Sequence, residues 1–133
     1  MKELREQARA KIQKEHPPIR GSDVDLGALT IARENAAAAG VHVEWRRASV
    51  RDLGPTSPPG VVVTNPPYGE RLDAPEELYV DLGRAIGRLA GHRVAILAGA
   101  PSIVQHVRVR PTTSLVVYNG DIECRLITYD VRG

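Results

Sequence analysis

The sequence feature that most constrains the fold of this chain lies at residues 61–67. It is a run of three valines that ends in a polar stretch with two prolines. β-Branched residues fit a pleated, covered surface, so Val61–Thr64 predicts a buried β-strand. The two prolines end that strand, because proline cannot donate to a β-ladder and fixes its own φ. Asn65 and Tyr68 are therefore expected on a stiff loop just beyond the carboxyl end of the strand. In open α/β sheets, ligands bind at that edge.

The side chains of this loop suit the recognition of a planar amine. The side-chain oxygen of Asn65 and the carbonyl oxygen of Pro66 can point the same way and accept both hydrogens of an amine. The ring of Tyr68 can stack on the aromatic ring that carries the amine. The alternative is a proline-containing turn in which Asn65 only caps neighbouring backbone groups.

The loop also resembles a known motif. Asn-Pro-Pro-Tyr at residues 65–68 resembles the amine-methylating motif of class I S-adenosylmethionine-dependent methyltransferases. The longer string Asn-Pro-Pro-Tyr-Gly-Glu-Arg-Leu, at residues 65–72, resembles the guanine-N2 methyltransferases of 23S rRNA that usually carry a THUMP domain. The resemblance implies a catalytic motif formed by Asn65, Pro66, Pro67 and Tyr68. It implies a substrate-binding role, with phosphate contact and bracing of the loop, for Gly69, Glu70 and Arg71.

A strand–acid–helix unit near the amino terminus resembles the second strand of the same fold. Residues 19–22 predict a short strand, and a helix with Leu26 and Leu29 on its buried side is predicted to follow as far as Ala39. In the family, an acidic residue at this strand end binds the ribose hydroxyls of the cofactor, and Asp23 has the matching position. An ionised carboxylate offers two acceptors to two vicinal hydroxyls. The alternative is that Asp23 only caps the helix.

The next strand is predicted at residues 41–47, where apolar and polar residues alternate. In the family, an aspartate placed like Asp52 accepts a hydrogen bond from the adenine amine of the cofactor. Asp52 as a plain turn residue is the competing interpretation, and the two stay open at this point.

The remaining elements complete an α/β pattern. Residues 1–16 are dense in helix formers of alternating charge and predict a mostly solvated amino-terminal helix. An amphipathic helix is predicted from Pro75, and an apolar strand at residues 93–97. Asn-Gly between two β-rich runs predicts a hairpin at residues 113–131. A terminal antiparallel hairpin is also what the class I methyltransferase fold has for its last two strands.

The predicted fold is therefore α/β: a Rossmann-like methyltransferase sheet with helices on both faces and a terminal hairpin, in one truncated domain (residues 1–133). The family begins this domain with a strand and a glycine-rich loop that wraps the methionine part of the cofactor. No such sequence precedes Gly21. The first strand lies between the strands that end at Asp23 and Thr64. We therefore expect either that these two strands pair directly or that a second copy covers the gap in a homodimer.

Composition excludes several other classes of protein. The chain has 42% hydrophobic and 26% charged residues, and its net charge of +2 is too small to indicate nucleic-acid binding by itself. The single cysteine, Cys124, excludes an internal disulfide and a cysteine-built metal site. The four histidines lack ligand spacing, so no metal is predicted. No apolar run approaches ~18 residues, so we expect no membrane span and a cytoplasmic location.

The predicted function is that of an S-adenosylmethionine-dependent N-methyltransferase-type domain, related to rRNA guanine-N2 methylation, with RNA as substrate. Because the glycine-rich loop is missing, we expect low cofactor affinity and little or no activity from this chain alone. One alternative is a non-enzymatic remnant or interaction module. Another is a DNA adenine or protein glutamine N-methyltransferase, which shares Asn-Pro-Pro-Tyr but usually lacks the Gly-Glu-Arg-Leu extension.

Overall fold

The computed structural model describes residues 2–12, 16–68 and 75–132. The chain divides into two compact units, Met1–Ala48 and Ser49–Gly133. The helices and strands, in chain order, are α1 (Lys2–Ala10), β1 (Arg20–Asp23), α2 (Leu26–Ala39), β2 (Glu44–Arg47), β3 (Val61–Thr64), α3 (Pro75–Gly87), β4 (Arg93–Ala98), β5 (Thr113–Asn119) and β6 (Ile122–Asp130). The predicted α/β class is confirmed. That the two units act as one domain stays a prediction.

The first unit contains a parallel pair of strands, β1 and β2, in which Gly21 lies opposite Trp45. The indole covers the glycine so closely that a Cβ at position 21 would lie 2.5 Å from Trp45 Cε3. Strand β2 begins at Glu44, later than the predicted residue 41. The reason is that the amide of Val41 donates to the carbonyl of Ala36 and so completes the end of α2 instead of a β-ladder.

Helix α2 is capped at both ends. The Asp25 carboxylate accepts a hydrogen bond from the amide of Gly27, and Gly40 ends the helix at a φ of +70°, a conformation that glycine adopts without a steric cost. Leu29 is buried as predicted. Leu26 is 57% exposed, so its prediction as a buried residue is wrong. Leu26 is the first residue of the helix.

Helix α1 is shorter than the predicted helix over residues 1–16. It ends at Ala10, and the amides of Lys11 and Ile12 make turn-type hydrogen bonds to Ala8 and Arg9. No residue of α1 is buried, which agrees with the predicted solvated helix. Residues 13–15 of the prediction lie outside the described residues.

The second unit is built on a four-stranded sheet in the order β3-β4-β6-β5. Strands β3 and β4 are parallel, whereas β6 is antiparallel to both β4 and β5. The predicted terminal hairpin is confirmed, and its turn contains Gly120 at a φ of +65°. The predicted strand at 93–97 extends by one residue, and a 3-10 turn, Pro101–Val104, follows it.

The core of the second unit lies between α3 and the sheet. Helix α3 contributes an apolar stripe, which the sequence pattern predicted, and the central strands contribute alternate residues. The buried cluster includes Tyr79, Leu82, Ile86, Leu89, Val94, Ile96, Ile103, Tyr129 and Val131. Because α3 directly follows the segment after the candidate loop, this core fixes one side of the candidate site.

Strand β3 differs from the buried strand that was predicted. Val61 and Val63 are 66% and 75% exposed, whereas Val62 packs against the core. Successive strand residues point to opposite faces, so only one face of β3 is covered. Strand β3 also forms an edge of its sheet, while β1 belongs to the other sheet. The expected direct pairing between the strands that end at Asp23 and Thr64 would join the two units and stays a prediction.

Candidate active site

The loop after β3 combines an exposed amide side chain with a buried proline. Asn65 is exposed and Pro66 is buried, while Pro67 is exposed and Tyr68 is half-buried. No hydrogen bond joins the Asn65 side chain or the Pro66 carbonyl to another described residue. Within the described residues these two neutral acceptors make no hydrogen bond, and their role in binding an amine stays a prediction.

A buried tyrosine holds the next residue of this loop. The hydroxyl of Tyr79, on α3, donates to the carbonyl of Pro67 at 2.8 Å. Tyr79 is only 3% exposed, and burial raises the pKa of its hydroxyl above the ordinary value. The hydroxyl therefore stays protonated at neutral pH and serves as a donor.

The ring of Tyr68 lies against the backbone at Gly99, in the turn that follows β4. A Cβ at position 99 would lie 2.8 Å from Tyr68 Cδ1 and closer still to two other ring carbons. A glycine is therefore required for this contact. Since the ring is only half-buried, part of it stays accessible for the stacking that the sequence predicted.

Asp52 lies in a 3-10 turn, Val50–Asp52, in the same unit as the loop. One carboxylate oxygen, Oδ2, accepts a hydrogen bond from the amide of Ser49 at 3.1 Å. Asp52 thus has the turn role that was the competing interpretation. Its other oxygen, Oδ1, has no hydrogen-bond partner within residues 16–68 or 75–132, so a ligand can still bind there.

Helix α3 also holds the turn that carries Asp52. Arg51 Nε lies 3.1 Å from Oδ2 of Asp81, whose side chain is 14% exposed. Arg88 donates to the carbonyl oxygens of Arg51 and Leu53 at 3.1 Å and 3.0 Å. One helix therefore contacts both the Asp52 turn and the Asn65 loop.

Asp23 ends β1 in the first unit and is not the helix cap. Its Oδ1 accepts from the amide of Asp25 at 2.9 Å, while the Asp25 carboxylate accepts from the amide of Gly27. Asp25 therefore caps α2. The Oδ2 atom of Asp23 has no hydrogen-bond partner in the part of the chain that the structure describes, and the side chain is exposed.

Three predicted site residues, Gly69, Glu70 and Arg71, lie outside the described residues. The sequence reasoning also missed three residues that support the site: Tyr79, Asp81 and Arg88. Tyr79 and Asp81 are polar residues of an amphipathic helix and Arg88 directly follows its last residue. Nothing in the local pattern separates such residues from their solvated neighbours.

Metal and membrane features are absent from the described part of the chain. Its His, Cys, Asp and Glu side chains form no group of three or more that could hold a metal ion. Within the same residues, no helix is long and apolar enough to span a membrane.

The strand order, the loop that follows β3 and the terminal hairpin define a protein of the Rossmann-like methyltransferase class. Over residues 1–128 the chain matches the family described as the RMKL-like methyltransferase domain. The chain belongs to this family, and the resemblance predicted from the loop is confirmed.

Named relatives agree with this assignment. The "Ribosomal RNA large subunit methyltransferase K/L" of Syntrophotalea carbinolica is 36% identical over 141 residues, which cover 98% of this chain and 20% of that protein. The chain thus spans about a fifth of the length of this curated relative.

Solved structures are similar to the chain over nearly its whole length. A possible methylase from Clostridium difficile 630 has a TM-score of 0.82 and 29% identity, covering 98% of this chain and 36% of that one. SMU.472, solved as a complex with SAH, has a TM-score of 0.84 and 26% identity, covering 99% and 37%. The predicted fold class is confirmed by these similarities.

Proposed function

We propose that this chain contributes the amine-binding half of an S-adenosylmethionine-dependent methyltransferase that acts on the exocyclic N2 amine of guanine in rRNA. The observation that carries the proposal is a pair of acceptors, the Asn65 side chain and the Pro66 carbonyl, that make no hydrogen bond to a described residue and lie on a loop anchored by Tyr79. The relative named as an rRNA large subunit methyltransferase supports the choice of RNA.

The roles of the loop residues follow from their chemistry. Asn65 and Pro66 accept the two hydrogens of the amine and so orient its nitrogen. They also stabilise the positive charge that develops on that nitrogen during methylation. Tyr68 stacks on the unpaired base. No strong general base is required, because the amine loses its proton only after it has been methylated.

The chain offers partners for part of the cofactor. Asp23 and Asp52 each have one carboxylate oxygen bound to a backbone amide and one that is unpartnered within the described residues. Asp23 fits the ribose hydroxyls and Asp52 fits the adenine amine. When bound, S-adenosylmethionine supplies the methyl group. Residues 1–20 contain no glycine-rich loop, so for residues 1–133 tested alone we expect binding weaker than micromolar by calorimetry.

A methyl-transfer assay tests the proposal directly. The chain is incubated with tritiated S-adenosylmethionine and, separately, with rRNA, DNA or protein. We expect little or no labelling by this chain alone. Any label is expected on guanine in rRNA and is expected to fall about 100-fold in Asn65→Ala, the size expected for one hydrogen-bonding group at a transition state. Asn35→Ala, an exposed helical position, is the matched control. Label in DNA adenine or protein glutamine would overturn the choice of substrate.

We further propose that the protein is cytoplasmic.

We also propose that a second copy of the chain covers the free edge of β3. The exposed side chains of Val61 and Val63 on that edge support the dimer, because unpaired apolar strand edges favour association. Size-exclusion chromatography with light scattering is expected to give a dimer. A strict monomer over a range of concentrations would contradict it.

A further inference from the structure

We propose that Tyr79 is a positioning residue for the amine-binding loop: its hydroxyl fixes the direction of the Pro67 carbonyl and thereby the geometry of Asn65, Pro66 and Tyr68. The inference rests on the function proposed above, in which this loop holds the target amine. The basis is the 2.8 Å hydrogen bond from the Tyr79 hydroxyl to the Pro67 carbonyl.

The backbone of the loop has few free torsions, and Tyr79 fixes one of them. The proline rings at 66 and 67 lock their own φ angles near −65°. Rotation about ψ of Pro67 would swing its carbonyl and move Tyr68. The hydrogen bond from Tyr79 opposes that rotation, because a buried donor left without an acceptor costs free energy.

The surroundings make the donor rigid. Tyr79 is 3% exposed and belongs to the buried cluster of the second unit, so its ring cannot follow a moving loop without disturbing the core. At the other end of the Pro67–Tyr68 segment, the Tyr68 ring contacts the backbone at Gly99. The segment from Pro67 to Tyr68 is therefore held between α3 and the turn after β4.

The simpler alternative is that the carbonyl of Pro67 only satisfies a buried tyrosine hydroxyl, as most buried tyrosines require. The two roles differ in one measurable respect. A positioning role predicts that removing the hydroxyl changes the environment of Tyr68, whereas a purely structural role predicts only a change in stability.

NMR of the chain labelled in its tyrosine rings tests the difference. The chain has four tyrosines, and the Tyr68 signals are assigned by their loss in Tyr68→Phe. In Tyr79→Phe, which keeps the ring in the core, we expect the Tyr68 signals to move towards those of the exposed Tyr118. The control is Tyr129→Phe, which removes another buried hydroxyl and is expected to leave the Tyr68 signals unchanged. Unchanged Tyr68 signals in Tyr79→Phe would overturn the proposal.

A second measurement needs no folded variant. In the unmodified chain, the Tyr79 hydroxyl proton is expected to exchange with water slowly enough to be observed. An exchange rate equal to that of Tyr118 would overturn the proposal even where Tyr79→Phe does not fold.

Methyl transfer to rRNA gives the functional readout. We expect Tyr79→Phe to lower kcat about tenfold with KM changed less than about twofold, because the loss falls on alignment in the transition state. The NMR result is independent of turnover. If the Tyr68 signals move but label appears in DNA adenine or protein glutamine instead of rRNA guanine, the proposed function is refuted while the positioning of the loop stands.

Discussion

Replacing Gly99 by alanine probes how tightly the Tyr68 ring is held. Gly99 follows β4 directly, and a Cβ there would lie 2.8 Å from Tyr68 Cδ1 and closer to two further ring carbons. Carbon atoms in favourable contact are about 3.5–4.0 Å apart. The ring must therefore move by about 1 Å to admit the methyl group.

The displacement has two expected magnitudes. Forcing an extra methyl group into a packed region costs about 1–3 kcal/mol of unfolding free energy. If Tyr68 orients the substrate as proposed, a shift of about 1 Å in its ring is expected to lower the rate by about 100-fold. Both effects arise from the same movement, so they should appear together in Gly99→Ala.

The control is a glycine with open space around it. Gly87 is the last residue of α3, is exposed, and a Cβ there would meet no atom within 4 Å. Gly87→Ala is expected to be neutral or to raise stability by about 0.5–1 kcal/mol, because alanine loses less backbone entropy than glycine on folding.

Urea unfolding followed by circular dichroism measures stability, and the Tyr68 ring signals in NMR report the displacement. We expect a lower unfolding midpoint and shifted Tyr68 signals in Gly99→Ala, and neither in Gly87→Ala. A Gly99→Ala chain that is as stable as the unmodified one, with unshifted Tyr68 signals, would refute the contact and the reasoning built on it.

Three further predictions concern stability. Asp25→Ala removes the cap that accepts a hydrogen bond from the Gly27 amide at 2.9 Å. We expect this variant to lose about 1 kcal/mol of stability in thermal melts, with Glu34→Ala on the same helix as control. Equal melting temperatures for the two variants would contradict the cap. Ile96 is a fully buried residue of β4. In urea titrations, Ile96→Ala is expected to lower the unfolding free energy by about 2–5 kcal/mol and Ile96→Val by about 0.5–1.5 kcal/mol. Equal urea midpoints for the two variants would argue against a packed core at this strand. The Arg93 guanidinium, 2.8 Å from Asp130, lowers the pKa of that carboxyl below its ordinary value near 3.8. Since the folded-state pKa is the lower one, this contribution is present above the unfolded-state pKa and is lost as pH falls through the folded-state value. In Asp130→Asn the unfolding free energy should therefore fall less steeply as the pH drops below about 4. An unchanged pH dependence in this range would contradict the ion pair.

Local sequence signals predicted the features of this chain that depend on neighbouring residues. The Asn-Gly pair predicted the terminal hairpin, because a glycine with positive φ sets the geometry of the hairpin turn. The valine–proline boundary gave the end of β3 at Thr64. The apolar stripe gave the buried face of α3, because helical side chains three and four residues apart share one face.

Features that depend on what covers an element could not be predicted in this way. Valine is a residue type typical of buried strands, yet Val61 and Val63 are both exposed. The reason is that the burial of a strand residue is set by the neighbours of the strand. The start of β2 was misplaced because a carbonyl on α2 takes the amide of Val41.

The supporting residues of the candidate site illustrate why the loop motif alone does not define its geometry. In the proposed function Asn65 and Pro66 bind the amine, but the carbonyl that follows them accepts a hydrogen bond from Tyr79, twelve residues beyond Pro67 on a helix. Helix α3 also binds the turn of Asp52 through Asp81, and Arg88, directly after the helix, binds the same turn. The candidate loop and one proposed cofactor contact are thus attached to the same helix. Because a displacement of α3 would move both, substitutions that loosen its packing are expected to affect substrate alignment and cofactor binding together.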